Sequence, residues 1–158
     1  MKKMAILMCS LVLVFSLAAC SNNEPEVTRD DVACQTIADQ LLEKVDFESE
    51  LMSLDERVIA NLYDFDSAMV DDFAIYVNAT SDTTEEIAVF HAASPENRQV
   101  ILEMLEGRMA NLRATFELYA PREVQRVDNS EILQQGNYLA LVVTDDIETA
   151  KTVFNDCF

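Results

Sequence analysis

Residues Ala5 to Ala19 read AILMCSLVLVFSLAA, an uncharged run directly behind Met4 and the basic pair Lys2-Lys3. This run sets where a fold can begin. It falls short of the roughly 20 apolar residues that span a bilayer. A basic start, a short apolar middle and a small-residue end follow the order of a secretory signal. Residues 1–19 are therefore expected to be removed, and Cys9 with them. Whatever folds must come from the rest.

The end of the run is more specific. Leu17-Ala18-Ala19-Cys20 resembles a bacterial lipobox, in which the thiol is acylated and the chain is cut just before it. Cys20 is then a lipidated N-terminus at the outer face of the cell membrane. One acyl chain binds marginally while two anchor stably, so the diacylglycerol expected there suffices. The polar stretch Ser21 to Thr28, broken by Pro25, makes residues 20–29 a tether. Residues 30–158 remain for a single domain, long enough to bury a core.

The chain carries a formal charge of −18, which becomes about −20 once Lys2 and Lys3 are lost. Such a surface repels nucleic acid and anionic headgroups, so the lipid must do the anchoring. Neutral or cationic partners are expected instead, among them an envelope protein or cell-wall material.

From Asp30 the apolar residues fall into periods. Cys34, Ile37, Ala38, Leu41, Leu42 and Val45 are spaced for a helix over Asp31 to Met52, with Asp30 as its cap and a break near Asp46 as the alternative. Val58 to Leu62 fits a short helix or a strand. FAIYVNA (Phe73–Ala79) and EIAVFHA (Glu86–Ala92) read as a hairpin. Ser94-Pro95 opens a helix that ends before Pro121 and carries Ile101, Met104, Leu105, Met109, Leu112 and Phe116 on one side. Gly136-Asn137 turns a second hairpin between Ile132–Gln135 and Tyr138–Thr144. Asp145 to Cys157 closes the chain as a helix. The order α-β-β-α-β-β-α predicts an α+β fold, a four-stranded antiparallel sheet with helices mainly on one face.

Sites are sparse. His91 is the sole histidine and Gly107 and Gly136 the sole glycines, so phosphate loops and histidine clusters are excluded. No Gly-x-Ser-x-Gly elbow accompanies His91. Asp64, Asp66, Asp71 and Asp72 crowd together, but Ala68 and Met69 stand where a calcium loop of EF-hand type needs an oxygen ligand and glycine. A looser calcium site, or an acid cluster of Glu85-Glu86 with Asp145-Asp146, competes with plain solvated loops; no metal or other cofactor is assigned. Cys34 and Cys157 are either bonded, worth roughly 4–5 kcal/mol by loop closure, or free buried thiols on helix stripes. Strand alternation sets Phe73, Ile75, Val77, Ile87, Val89, Leu139, Leu141 and Val143 on a core face. Tyr76, Phe90 and Tyr138 then share the opposite face, an aromatic binding surface if no helix covers it.

Four stretches resemble a known family: Asp71–Tyr76 (DDFAIY), Glu85–Phe90 (EEIAVF), Tyr119-Ala120-Pro121, and Gly136–Asp146 (GNYLALVVTDD). They are similar to lipoproteins of Gram-positive, often gut-dwelling bacteria, catalogued as domain of unknown function 4358. The resemblance covers Tyr63 to Phe158 and implies a surface lipoprotein with a small α+β domain. It implies no activity, cofactor or catalytic residue.

The expected function is a ligand- or protein-binding accessory module of the cell envelope, anchored outside the membrane and not an enzyme. A carboxylate-dependent envelope hydrolase and a homo-oligomeric structural lipoprotein are the alternatives.

Overall fold

Tyr138–Val143 reads YLALVV, and a strand apolar on both sides needs cover on both faces. The structure, a computed structural model, describes residues 29–54, 56–63 and 66–158. The expected signal, Cys20, and the tether up to Thr28 lie outside the described residues, as does Asp64. The elements run α1 (Cys34–Lys44), β1 (Leu51–Ser53), α2 (Glu56–Tyr63), β2 (Val70–Asn78), β3 (Glu86–Ala92), α3 (Pro95–Phe116), α4 (Pro121–Asn129), β4 (Glu131–Gln135), β5 (Tyr138–Val143) and α5 (Ile147–Asn155). A short 3-10 turn, Ser67–Met69, leads into β2.

The fold is mixed helix and strand around one antiparallel sheet, ordered β1-β2-β3-β5-β4. It has five strands rather than the expected four. The extra one, β1 (Leu51–Ser53), overlaps the end of the predicted helix Asp31–Met52. That helix stops at Lys44, because the Glu85 carboxylate accepts from the backbone N–H of Glu48 and Ser49, both at 2.8 Å. Those bonds hold the chain extended and turn it into β1. At the other end of α1, Asp30 is not the cap. Asp72 of β2 accepts from the Cys34 N–H at 2.7 Å.

Helices lie on both faces, which corrects the expectation of one covered side. On one face α1 and α5 bury Ile37, Leu41, Val153 and Phe154 against Ala74, Ile87, Val89, Ala140 and Val142. On the other, α2, α3 and α4 bury Ile59, Tyr63, Ile101, Leu105, Leu112 and Val127 against Ile75, Ala88, Phe90, Leu139 and Leu141. Two apolar sheet faces leave no alternative, since exposing either would leave large side chains in water.

Where the local signal is complete, the structure follows it. The second hairpin turns at Gly136, whose φ of 55° is open to glycine without strain. Ser94 caps α3, its hydroxyl accepting from Asn97 N–H at 3.2 Å with Pro95 at the first turn. Ser94→Ala is expected to cost about 1 kcal/mol, read as a lower urea midpoint with unchanged slope.

Candidate functional site

The aromatic face anticipated from alternation does not exist. Register decides this: Phe73 pairs with Phe90 and Phe90 with Leu139, whereas Tyr76 pairs with Ile87 and His91 with Tyr138. A β-bulge between Val70 and Asp72 breaks the register of β2 against β3 at their outer end. Phe90 therefore sits under α2 and α3, edge-on to Tyr63 at 5.7 Å. Tyr76 and Tyr138 face α1 and α5. Tyr138 is buried, stacked on His91 at 4.2 Å, and donates to the Asp30 carbonyl at 2.9 Å. The Tyr76 hydroxyl accepts from Gln35 at 2.6 Å. These three side chains tie helices and the incoming chain to the sheet.

The acids are dispersed as well. Asp66 caps the 3-10 turn, Asp72 caps α1, and Asp71 lies 4.0 Å from His91 at the bulge. Among the described residues no group of three or more His, Cys, Asp and Glu side chains is placed to hold a metal ion. Cys34 and Cys157 stand as free thiols. Burial pushes both thiols up, and Asp72 adds to the effect on Cys34. The Cys157 thiol donates to the Val153 carbonyl at 3.2 Å.

Glu85 and Glu86 diverge, as neighbours on a strand must. Glu85 goes to the chain entering β1. Glu86, buried, receives Arg108 from α3 through two donors, Nε at 3.1 Å and Nη2 at 2.5 Å, together with the Tyr63 hydroxyl. Burial and the adjoining carboxylate push the Tyr63 phenol well up, so it stays a donor. Asp145 joins a different charge centre. Arg126 of α4, fully buried, donates to Glu123 at 2.5 Å, Glu48 at 2.8 Å and Asp145 at 3.0 Å. Arg122 also reaches Glu48 and Asp145. The two arginines hold the Glu48 and Asp145 carboxyls below the usual range.

Glu86 and Arg108 form one wall of a groove of about 320 Å³. Leu54, Val58 and Leu62 form one side, Leu112 and Phe116 the other, with the turn from Asn78 to Glu86 closing the end. The described residues expose five large apolar side chains, and three gather here. Val58 (48% exposed) and Tyr119 (64%) line the groove, and Met52 (48%) is paired with the lining residue Val77. Clustering of that kind marks an interaction surface. Sequence reasoning missed this groove. One signal was present: Arg108 shares the stripe of Ile101, Leu105 and Leu112, and an arginine there calls for a buried anionic partner.

A family model described as "Domain of unknown function (DUF4358)" matches residues 43–144, the span from the end of α1 through β5. No curated protein and no solved structure matches the chain.

Proposed function

The chain belongs to the DUF4358 family of domains of unknown function, and from that premise we propose that it is an extracytoplasmic lipoprotein, lipidated on Cys20, whose groove between α2 and α3 is a binding site for an envelope partner. One observation carries the reading: of the five large apolar side chains exposed among the described residues, Val58 and Tyr119 line a single groove and a third, Met52, pairs with its lining residue Val77. The domain acts as an accessory binding module and not as a hydrolase. Among the described residues the carboxylates lining the groove are Glu85 and Glu86, and both are engaged, Glu85 by the Glu48 and Ser49 N–H groups and Glu86 by Arg108.

Two measurements test this. Palmitate labelling and membrane fractionation of cells making the Cys20→Ser chain should show the label lost and the protein released. Unchanged labelling sinks the anchor. Thermal unfolding is then screened against cell-wall fragments, sugars and short peptides. A ligand at a hundred times its Kd adds about 2.7 kcal/mol, and Val58→Asp should abolish the shift while leaving the unliganded transition near that of the wild type. A ligand shift that survives Val58→Asp places binding elsewhere. A concentration-dependent dimer that Val58→Asp dissolves assigns the patch to self-association.

A further inference from the structure

The groove opens beside a strand edge that no other described strand pairs. β1 ends the sheet order. Its ladder to β2 is marked by Ala79 N–H to Glu50 C=O at 3.1 Å and Leu54 N–H to Ile75 C=O at 3.4 Å. Hydrogen-bonded pairs alternate along an antiparallel ladder, so Met52 takes the bond between these two. The N–H and C=O groups of Leu51 and Ser53 then point away from the sheet. Edges of this kind are normally guarded by charge, proline, a covering element or, as in the three-residue β1, by shortness. The opposite edge, β4, obeys that rule: Lys151 of α5 bridges to Glu131 at 2.6 Å, and Arg98 donates to Gln134 at 2.6 Å. β1, Leu51-Met52-Ser53, carries no charge and no proline, and it shows a half-exposed methionine.

Charge and position narrow the occupant. Glu50 precedes β1 in sequence and Asp55 and Glu56 follow it, within a chain of net charge −18, while Glu48 is already held by Arg122 and Arg126. The described chain begins at the far end of the sheet, where the Asp30 carbonyl is held by Tyr138 opposite His91. The groove lies at the Glu86 end of β3, about 20 Å away for a seven-residue strand. A chain tethered before residue 30 therefore presents β1 and the groove away from its tether.

Taking the groove as the binding site, we infer that its occupant is an extended peptide with an apolar centre and cationic flanks, which adds to β1 as a sixth strand. Main-chain bonds to Leu51 and Ser53 would supply its affinity. Its alternate apolar side chains would lie over Met52 and into the groove past Val58, the usual division of labour in strand addition.

The test uses the full mature chain in detergent and a capped hexapeptide, Lys-Val-Leu-Val-Thr-Lys. Binding is expected, with slowed amide exchange at Leu51 and Ser53. Affinity should fall about tenfold or more when alternate peptide nitrogens are methylated, and likewise when both lysines become glutamates. Ser53→Pro removes one outward N–H at a position where an edge strand tolerates proline; it should lose the peptide at an unchanged Tm. The inference is overturned if the methylated peptide binds equally well. It is also overturned if no peptide binds at about 1 mM while a wall fragment shifts the transition through Val58, an outcome that leaves the groove reading standing. If neither peptide nor fragment responds to Val58→Asp, the groove reading itself fails.

Discussion

Arg126→Met is expected to lower stability by about 3–5 kcal/mol, the usual cost of stripping the counter-charge from buried partners. Arg126 is fully buried, and its guanidinium joins three elements: Glu48 ahead of β1, Glu123 within α4, and Asp145 after β5. Without it, Glu123 is left buried and holding only the Thr84 N–H and hydroxyl. For a domain with an ordinary reserve of about 5–15 kcal/mol, such a loss approaches unfolding at growth temperature. Chemical denaturation measures it, and a loss under about 1 kcal/mol would mean the centre is solvated. The pH dependence has a definite sign. The carboxyls of Asp145 and Glu48 are held down in the folded state, first by their hydrogen bonds to Arg126 and Arg122 respectively. Their stabilising contribution is therefore complete above about pH 4, the unfolded carboxylate value. It is lost as pH falls through the lower folded values. Arg126→Met should flatten that acid limb, and an unchanged limb would assign it to other acids.

Arg108→Met is the second large loss, again about 3–5 kcal/mol, because it leaves the Glu86 carboxylate buried with only the Tyr63 hydroxyl as partner. A companion variant distinguishes pairing from packing. Replacing all three polar groups together, as Tyr63→Phe, Glu86→Leu and Arg108→Met, leaves no orphaned charge and should recover most of the loss. If the triple variant is no better than the single one, the Arg108 guanidinium over the Tyr63 ring is the main contributor. Arg108 also borders the groove, so the stable triple variant shows whether ligand binding needs the charge.

Both arginines were legible only in part. Their places on helix stripes announce buried charge, yet the partners come from elements far off in sequence. Arg126 meets Glu48 across 78 positions and Arg108 meets Glu86 across 22. Periodicity reports which side of an element is apolar. It carries no information about which element covers that side. The face assignment failed for a related reason. Alternation was read correctly within each strand, but joining strands requires register, and β2 and β3 pair Ile75 with Ala88 rather than with Ile87 or Val89. A one-residue offset exchanges faces, so Phe90 moved from the supposed surface into the core. No signal within a single strand carries that offset.

By itself the sequence determined the two hairpins, the capped start of α3 at Ser94, the turn at Gly136 and the apolar stripe of α5. These features rest on contacts between residues a few positions apart, and side-chain chemistry there acts on its own backbone. It also determined the family, through stretches that lie on β2, β3 and β5. Only the tertiary structure decided where α1 stops, that β1 exists, that both sheet faces are covered, and that a groove remains between α2 and α3. Each of these depends on groups distant in the chain. The carboxylate of Glu85, 37 residues beyond Glu48, ends a helix whose own sequence would have let it continue. Two apolar faces demanded two layers of helices, and the place where those layers fail to close is a property of their packing.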